Sequence, residues 1–343
     1  MLSKNEVQTQ PSRIDYIDIF RGIGILFMVM GHVGFGEAFD FFIHAFHMPM
    51  FFWISGYLFR RRSKEEMSFS AFVLKKAKSL LLPYGIFGVV HYLIYVVKNV
   101  LTHEAVELSP LIRLFFVNTS GLPICGALWF LTALFFADIL FFLIDRYVVN
   151  NLGKAAVVVA LAVFGNFADC VIPFTLPLAL GPSFVGVGLY YLGFLFQKYG
   201  EKPVVSRLMN LRLIPTVALG VITTASIFGN GYVNMRMEQY AVVPLFWVNG
   251  LLSIIVGMNL SKQFYRYVQN RFVGNWLLRV GKDSMIYVCL NQVVIMVVSK
   301  AVKIVALPKY LSAVVILIIT MGSLYALSEL FTTTKLKWIL GKK

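Results

Sequence analysis

Long apolar runs alternate along the chain with short, charge-bearing breaks. Ten runs are candidates to cross a bilayer: 17–34, 40–59, 80–98, 127–145, 154–168, 183–197, 213–229, 241–259, 284–300 and 311–331. Several are close to the lower limit of about 17 residues for a spanning helix. Gly and Pro recur inside them, which membrane helices tolerate where neighbours re-satisfy the backbone. The pattern predicts an all-α, polytopic membrane helical bundle of about ten transmembrane helices. No polar stretch is long enough for a second domain, so residues 1–343 read as one integral-membrane domain. Within it, 1–16 form an N-terminal cytoplasmic segment and 332–343 a basic cytoplasmic tail.

Charge orients the bundle. With the N-terminus in the cytoplasm, the inner segments hold 24 of the 31 Lys and Arg residues and the outer segments six, with Arg21 at the inner edge of the first run. That asymmetry follows the positive-inside rule and requires an even number of spans with both termini inside. The net charge of +15 is thereby explained without nucleic acid. Only 14% of residues are charged and 59% are hydrophobic, against about 25% charged in soluble domains. The first run is followed by further spans and has no plausible cleavage site, so no signal peptide is expected. Cys125, Cys170 and Cys289 have no metal spacing; Cys125 and Cys170, both on the outer side, are either a disulfide or two unrelated thiols. Of the outer segments, SPLIRLFF within 99–126 reads as a short interfacial amphipathic piece and 169–182, with three prolines, as an irregular loop.

Arg21 and His32 stand out within RGIGILFMVMGH. Eleven residues return to nearly the same helix face, about 16 Å along the axis. Ionisable groups inside a span are costly and usually face a path or site. Arg21 is either part of a salt-bridged helix end with Asp15 and Asp18, or a fork for a phosphate or carboxylate. His32 is either a satisfied structural group or a general base. His44 and His47 follow on one face of the second run, where Pro49 is expected to kink or open the helix. No carboxylate at ligand spacing or HExxH pattern accompanies these histidines, so no metal is expected. Ser55 reads as a small packing residue. The clusters RRRSKEE and LKKAKSLLLPY, with Arg60, Arg61, Lys75 and Lys76, satisfy positive-inside topology and also suit a vestibule for a polyanion. Trp129 is an interfacial anchor or the wall of a sugar cleft. Asp138, deep in its run, is a functional candidate; Asn291 and Gln292 suit interhelical hydrogen bonds.

Taken together, YIDIFRGIGILFMVMGH, FIHAFHMPMFFWISGYLF, KKAKSLLLPYGIFG, ALWFLTALFFADILF, GLYYLGFLF and VGKDSMIYVCLNQ resemble the membrane-bound acyltransferase family 3, in its fucose-4-O-acetylase-like branch. The resemblance implies an O-acyltransferase in the bacterial inner or plasma membrane. It would move an acyl group, usually acetyl, from cytosolic acyl-CoA to a hydroxyl of an envelope sugar, a polysaccharide or its lipid-linked glycan precursor. By the motif, Arg21 and His32 would be the functional pair, with His47 beside them. Arg21, Arg60, Arg61, Lys75 and Lys76 would meet the donor, acetyl-CoA. Trp129, Asp138 and Asn291 would meet the acceptor. Asn291 departs from relatives that carry His in that segment, so no imidazole role transfers to it. No permanently bound cofactor is expected, and partners are substrates, membrane lipids and a second copy in a homodimer. The competing reading is a transporter or flippase for a glycan or lipid intermediate, with Arg21, His32 and Asp138 lining its path.

Overall fold

The computed structural model describes residues 14–59, 67–116 and 126–341. Helix α1 (Asp15–Val33) carries Asp15 and Asp18 in its first turn, where carboxylates complement the positive end of the dipole. It stops at Gly34, whose φ of 92° lets its N–H reach the Met30 carbonyl at 3.1 Å.

The expected second span is not one helix. It breaks into α2 (Glu37–His44) and α3 (His47–Tyr57). Pro49 is the cause: it has no N–H for the Ala45 carbonyl, and its ring crowds that carbonyl. The chain restarts so that Pro49 falls in the first turn of α3, where a missing N–H is harmless. Next, α4 (Phe69–Lys76) passes through a π-helical turn, Ala77–Leu81, into α5 (Leu82–Leu101). The expected span 80–98 therefore lies within a longer rod.

The remaining elements are α6 (Ser109–Phe116), α7 (Trp129–Tyr147), α8 (Asn151–Asn166), the single turn α9 (Ala168–Val171), α10 (Leu180–Lys198), α11 (Pro203–Leu208) and α12 (Leu213–Asn230). A two-residue antiparallel ladder follows, β1 (Val233–Asn234) with β2 (Gln239–Tyr240). The chain ends in α13 (Val243–Val268), α14 (Phe272–Lys282), α15 (Ser284–Lys303) and α16 (Lys309–Thr333). Eight helical stretches among the described residues are long and apolar enough to cross a membrane. The 16-residue α8 and the broken α2–α3 pair account for the other two expected spans. The architecture is an all-α polytopic membrane bundle.

Two packing contacts position the site. Helix α3 runs against α10 with Gly56 on the Tyr190 carbonyl and Gly193 on the Trp53 carbonyl; a Cβ at either glycine would overlap that oxygen. Small residues bring membrane helices this close. On the other side α1 packs on α13 and on α14, an amphipathic helix that the sequence pattern did not reveal; Leu277, Val280 and Gly281 face inward. Apolar side chains on the far faces of α5, α12 and α16, among them Leu93, Ile222 and Ile318, are exposed toward lipid.

Candidate active site

Two cavities open on neighbouring stretches of α1 and α3. The first surrounds His32. Met28 and His32 from α1, His44 from α2, His47, Met48 and Phe51 from α3, Trp129 and Phe130 from α7, Val288 from α15 and the hairpin residues Asn234, Met235 and Arg236 enclose about 120 Å³. His32 itself is exposed to this space. Each imidazole is oriented. His47 Nδ1 lies 2.6 Å from the Ile43 carbonyl and His44 Nδ1 lies 2.8 Å from the Asp40 carbonyl. A carbonyl only accepts, so both Nδ1 atoms carry the proton and each neutral ring keeps its lone pair on Nε2. The two rings meet edge to face at 5.2 Å.

His32 is set by Gln292. The Gly126 N–H donates to Gln292 Oε1 at 2.6 Å, so the amide nitrogen must turn the other way; it stands 3.5 Å from His32 Nδ1. An amide NH₂ only donates, which assigns the lone pair of neutral His32 to Nδ1. The Arg236 guanidinium packs over Gly126, placing a cation at the rim of the same space.

The second cavity, about 300 Å³, is basic. Arg21, Lys75 and Lys76 line it with Ser55, Leu58, Phe59, Phe72 and Tyr190. Arg21 Nη1 pairs with Asp18 at 3.0 Å and Lys76 Nζ with Asp138 at 2.7 Å. Tyr190 donates to Asp138 at 2.9 Å. The wall between the cavities is thin: on α3, Phe51 faces the histidines and Ser55 faces the lysines, one helical turn or about 6 Å apart. Phe51 and Phe52 pack on Phe130 at 5.7 and 5.3 Å in this wall.

The structure thus brings His32, His47 and Trp129 together, and separately Arg21, Lys75 and Lys76. Arg60 and Arg61 lie outside the described residues. Asp138 and Asn291 are not brought to the histidines. Asp138, 1% exposed, is taken up by Lys76 and Tyr190 beside the basic cavity. Asn291 donates to the Tyr287 and Val288 carbonyls of its own helix at 2.8 and 2.9 Å; its neighbour Gln292 faces His32 instead. His44 and Arg236 complete the lining of the histidine cavity, and Gln292 contacts His32 beside it. The Arg and the amide gave no local signal, because their partners are more than 100 residues away. Among the described residues no three His, Cys, Asp or Glu groups are placed to hold a metal ion. Cys170 is exposed and Cys289 buried; Cys125 lies outside the described residues.

The hairpin that carries Arg236 also packs a partly buried carboxyl against α10. Glu238, at φ 58°, lays its carboxylate over Gly181 in the first turn of α10. Burial, with the charge of Asp169 second, pushes the Glu238 carboxyl up to about 7 from 4.5. Between those two values the folded chain holds a proton that the unfolded chain has lost, so stability falls as pH rises through the window and levels off above it. Glu238→Gln is expected to flatten that part of the profile, read as melting temperature against pH in detergent from 4.5 to 8.

Fold and site define a multi-pass helical membrane protein with imidazoles near one end of α1 and a basic cavity near the other. The acyltransferase 3 family model, described as an acyltransferase domain, matches residues 14–329, and the chain belongs to that family. It is a multi-pass membrane acyltransferase. Comparison with curated proteins and with solved structures gives no match.

Proposed function

We propose that the protein transfers an acetyl group from cytosolic acetyl-CoA to a hydroxyl of an envelope sugar, in the bacterial inner or plasma membrane. One observation carries the reading: a basic cavity and an imidazole cavity lie on the same face of α1, separated by one turn of α3. Coenzyme A is a polyanion on a long, thin pantetheine arm. Arg21, Lys75 and Lys76, with Arg60 and Arg61 near them in sequence, suit its phosphates. The arm then needs to pass only Phe51 and Phe130 to bring the thioester to His32. The excess of cations on this side makes it the cytoplasmic one.

At the far end the acceptor hydroxyl displaces the long Gln292 contact and gives its proton to His32 Nδ1 as its oxygen attacks the thioester carbonyl. The carbon–sulfur bond breaks, the proton passes to the departing thiolate, and the products are an O-acetyl ester and free CoA. Arg236 supplies positive charge where the oxyanion forms. Trp129 offers an apolar wall to the sugar ring. His47 Nε2 provides a second basic nitrogen in the same space.

The test is thiol release from acetyl-CoA by the purified protein in detergent, with and without extracted envelope glycan. Acceptor-dependent release with an acetyl mass gain on the glycan supports the reading. Glycan movement across vesicles without thiol release would favour a transporter and overturn it. Arg21→Ala is expected to raise the KM for acetyl-CoA about 10- to 100-fold, the worth of one charge-assisted hydrogen bond, while kcat at saturating donor changes little.

A further inference from the structure

Arg236 borders two spaces. On one side it lines the histidine cavity, and on the other a third cavity of about 270 Å³. Asp169 of α9 and Phe174 of the loop that follows form one wall of this third cavity, and Met237 and Glu238 form the other. The hairpin is therefore a partition. Asn234 and Met235 line the histidine side, Met237 and Glu238 the far side, and Arg236 stands between them. The turn is fixed by Asn234 Oδ1, which accepts the Met237 N–H at 3.2 Å. Glu238 reaches its place because Gly181 has no Cβ; one built there would overlap the carboxylate.

The lining selects its occupant by exclusion. The Asp169 carboxylate repels an anionic ligand, and the Arg236 guanidinium beside it repels a cationic one. A hydrocarbon chain would take Asp169, Arg236 and Glu238 out of water with nothing to pair with. A neutral molecule rich in hydroxyls meets every group. A hydroxyl donates to a carboxylate and accepts from a guanidinium, which only donates. Phe174, 66% exposed, adds an aromatic surface for the C–H face of a sugar ring.

We propose that this cavity is a second sugar subsite, holding the residue next to the one acetylated at His32, with the glycosidic link passing Arg236. The proposal rests on the acyl-transfer reading and adds to it that the enzyme recognises at least two consecutive sugars. Asp169, Phe174 and Glu238 become specificity residues for the second of them.

The test uses extracted envelope glycan, partly hydrolysed and sorted by size, with the full-length protein in detergent. By thiol release, kcat/KM is expected to rise at least tenfold from the monosaccharide to the disaccharide fraction. Asp169→Asn should lower the ratio of the two about tenfold, the worth of one hydrogen bond to a charged group. Phe174→Ala should lower it about fivefold. Both fractions are read on one preparation, so any loss of folded protein cancels from the ratio. Equal kcat/KM for the two fractions, or a ratio that neither variant changes, would overturn the proposal. Saturation-transfer NMR with the same fractions needs no turnover. Disaccharide contacts that Asp169→Asn removes, together with no thiol release, would sink the acyl-transfer reading and leave the subsite standing. Displacement of the disaccharide by glycerophosphoethanolamine would assign the cavity to a lipid headgroup and overturn the proposal.

Discussion

His32→Ala is expected to lower acceptor-dependent acetyl transfer by about 10²- to 10⁴-fold, the usual contribution of a positioned general base. The loss should fall on kcat. On the proposed reading the donor is held by cations on the other side of the Phe51–Phe130 wall, so the KM for acetyl-CoA should stay within about twofold. Nor should folding suffer, because His32 is exposed to the cavity and its hydrogen bond to Gln292 is long at 3.5 Å. Single-turnover thiol release against acceptor concentration separates these quantities. A variant that keeps its kcat and loses only donor affinity would place the chemistry elsewhere.

The second large effect is on folding. Lys154 is 4% exposed and lies against Asp145, which is 7% exposed. The ammonium pairs with the Asp145 carboxylate and also donates to its backbone carbonyl at 3.0 Å. This pair fastens α8 to the end of α7. Lys154→Ala removes the ammonium from the Asp145 carboxylate, and breaking a buried pair from one side costs about 3–5 kcal/mol. Against a typical total of about 5–15 kcal/mol, that is a large loss, read as an early thermal transition in detergent. Removing both charges with Lys154→Met and Asp145→Leu should recover most of it, since apolar replacement avoids the desolvation cost of both ions. A double variant no better than the single would show that the pair is not what holds this corner.

Much of the bundle is legible in the sequence because hydropathy is a local property. Each spanning helix leaves its own apolar run, and the eleven-residue spacing of Arg21 and His32 alone puts both on one face of α1. Pro49 announced a kink, but a break that turns Phe42 and Phe46 one way and His44 and His47 the other needed the tertiary frame. Lys154 shows the limit of charge counting: in sequence it is one more cation flanking a span, and only packing reveals it as buried. Asp138 reads as an isolated charge because Lys76 and Tyr190 are 62 and 52 residues away. Gln292 reads as one polar group in an apolar run. Its role comes from Gly126, 166 residues earlier, whose N–H fixes which end of the amide meets His32. Arg236 sits on a hairpin with two-residue strands, too short for any alternating pattern. α14 leaves little trace in the sequence because its apolar stripe, with Leu277 and Val280 beside Arg279 and Lys282, is narrow and short.

The central claim is that donor and acceptor meet from opposite ends of α1. Sealed proteoliposomes holding the protein in one known orientation test it directly, with acetyl-CoA confined to one side and acceptor to the other. Acetylated acceptor is expected when acetyl-CoA faces the Arg21 end and the sugar faces the His32 end, and not when the two are exchanged. Product that forms only when both substrates share one side would contradict it.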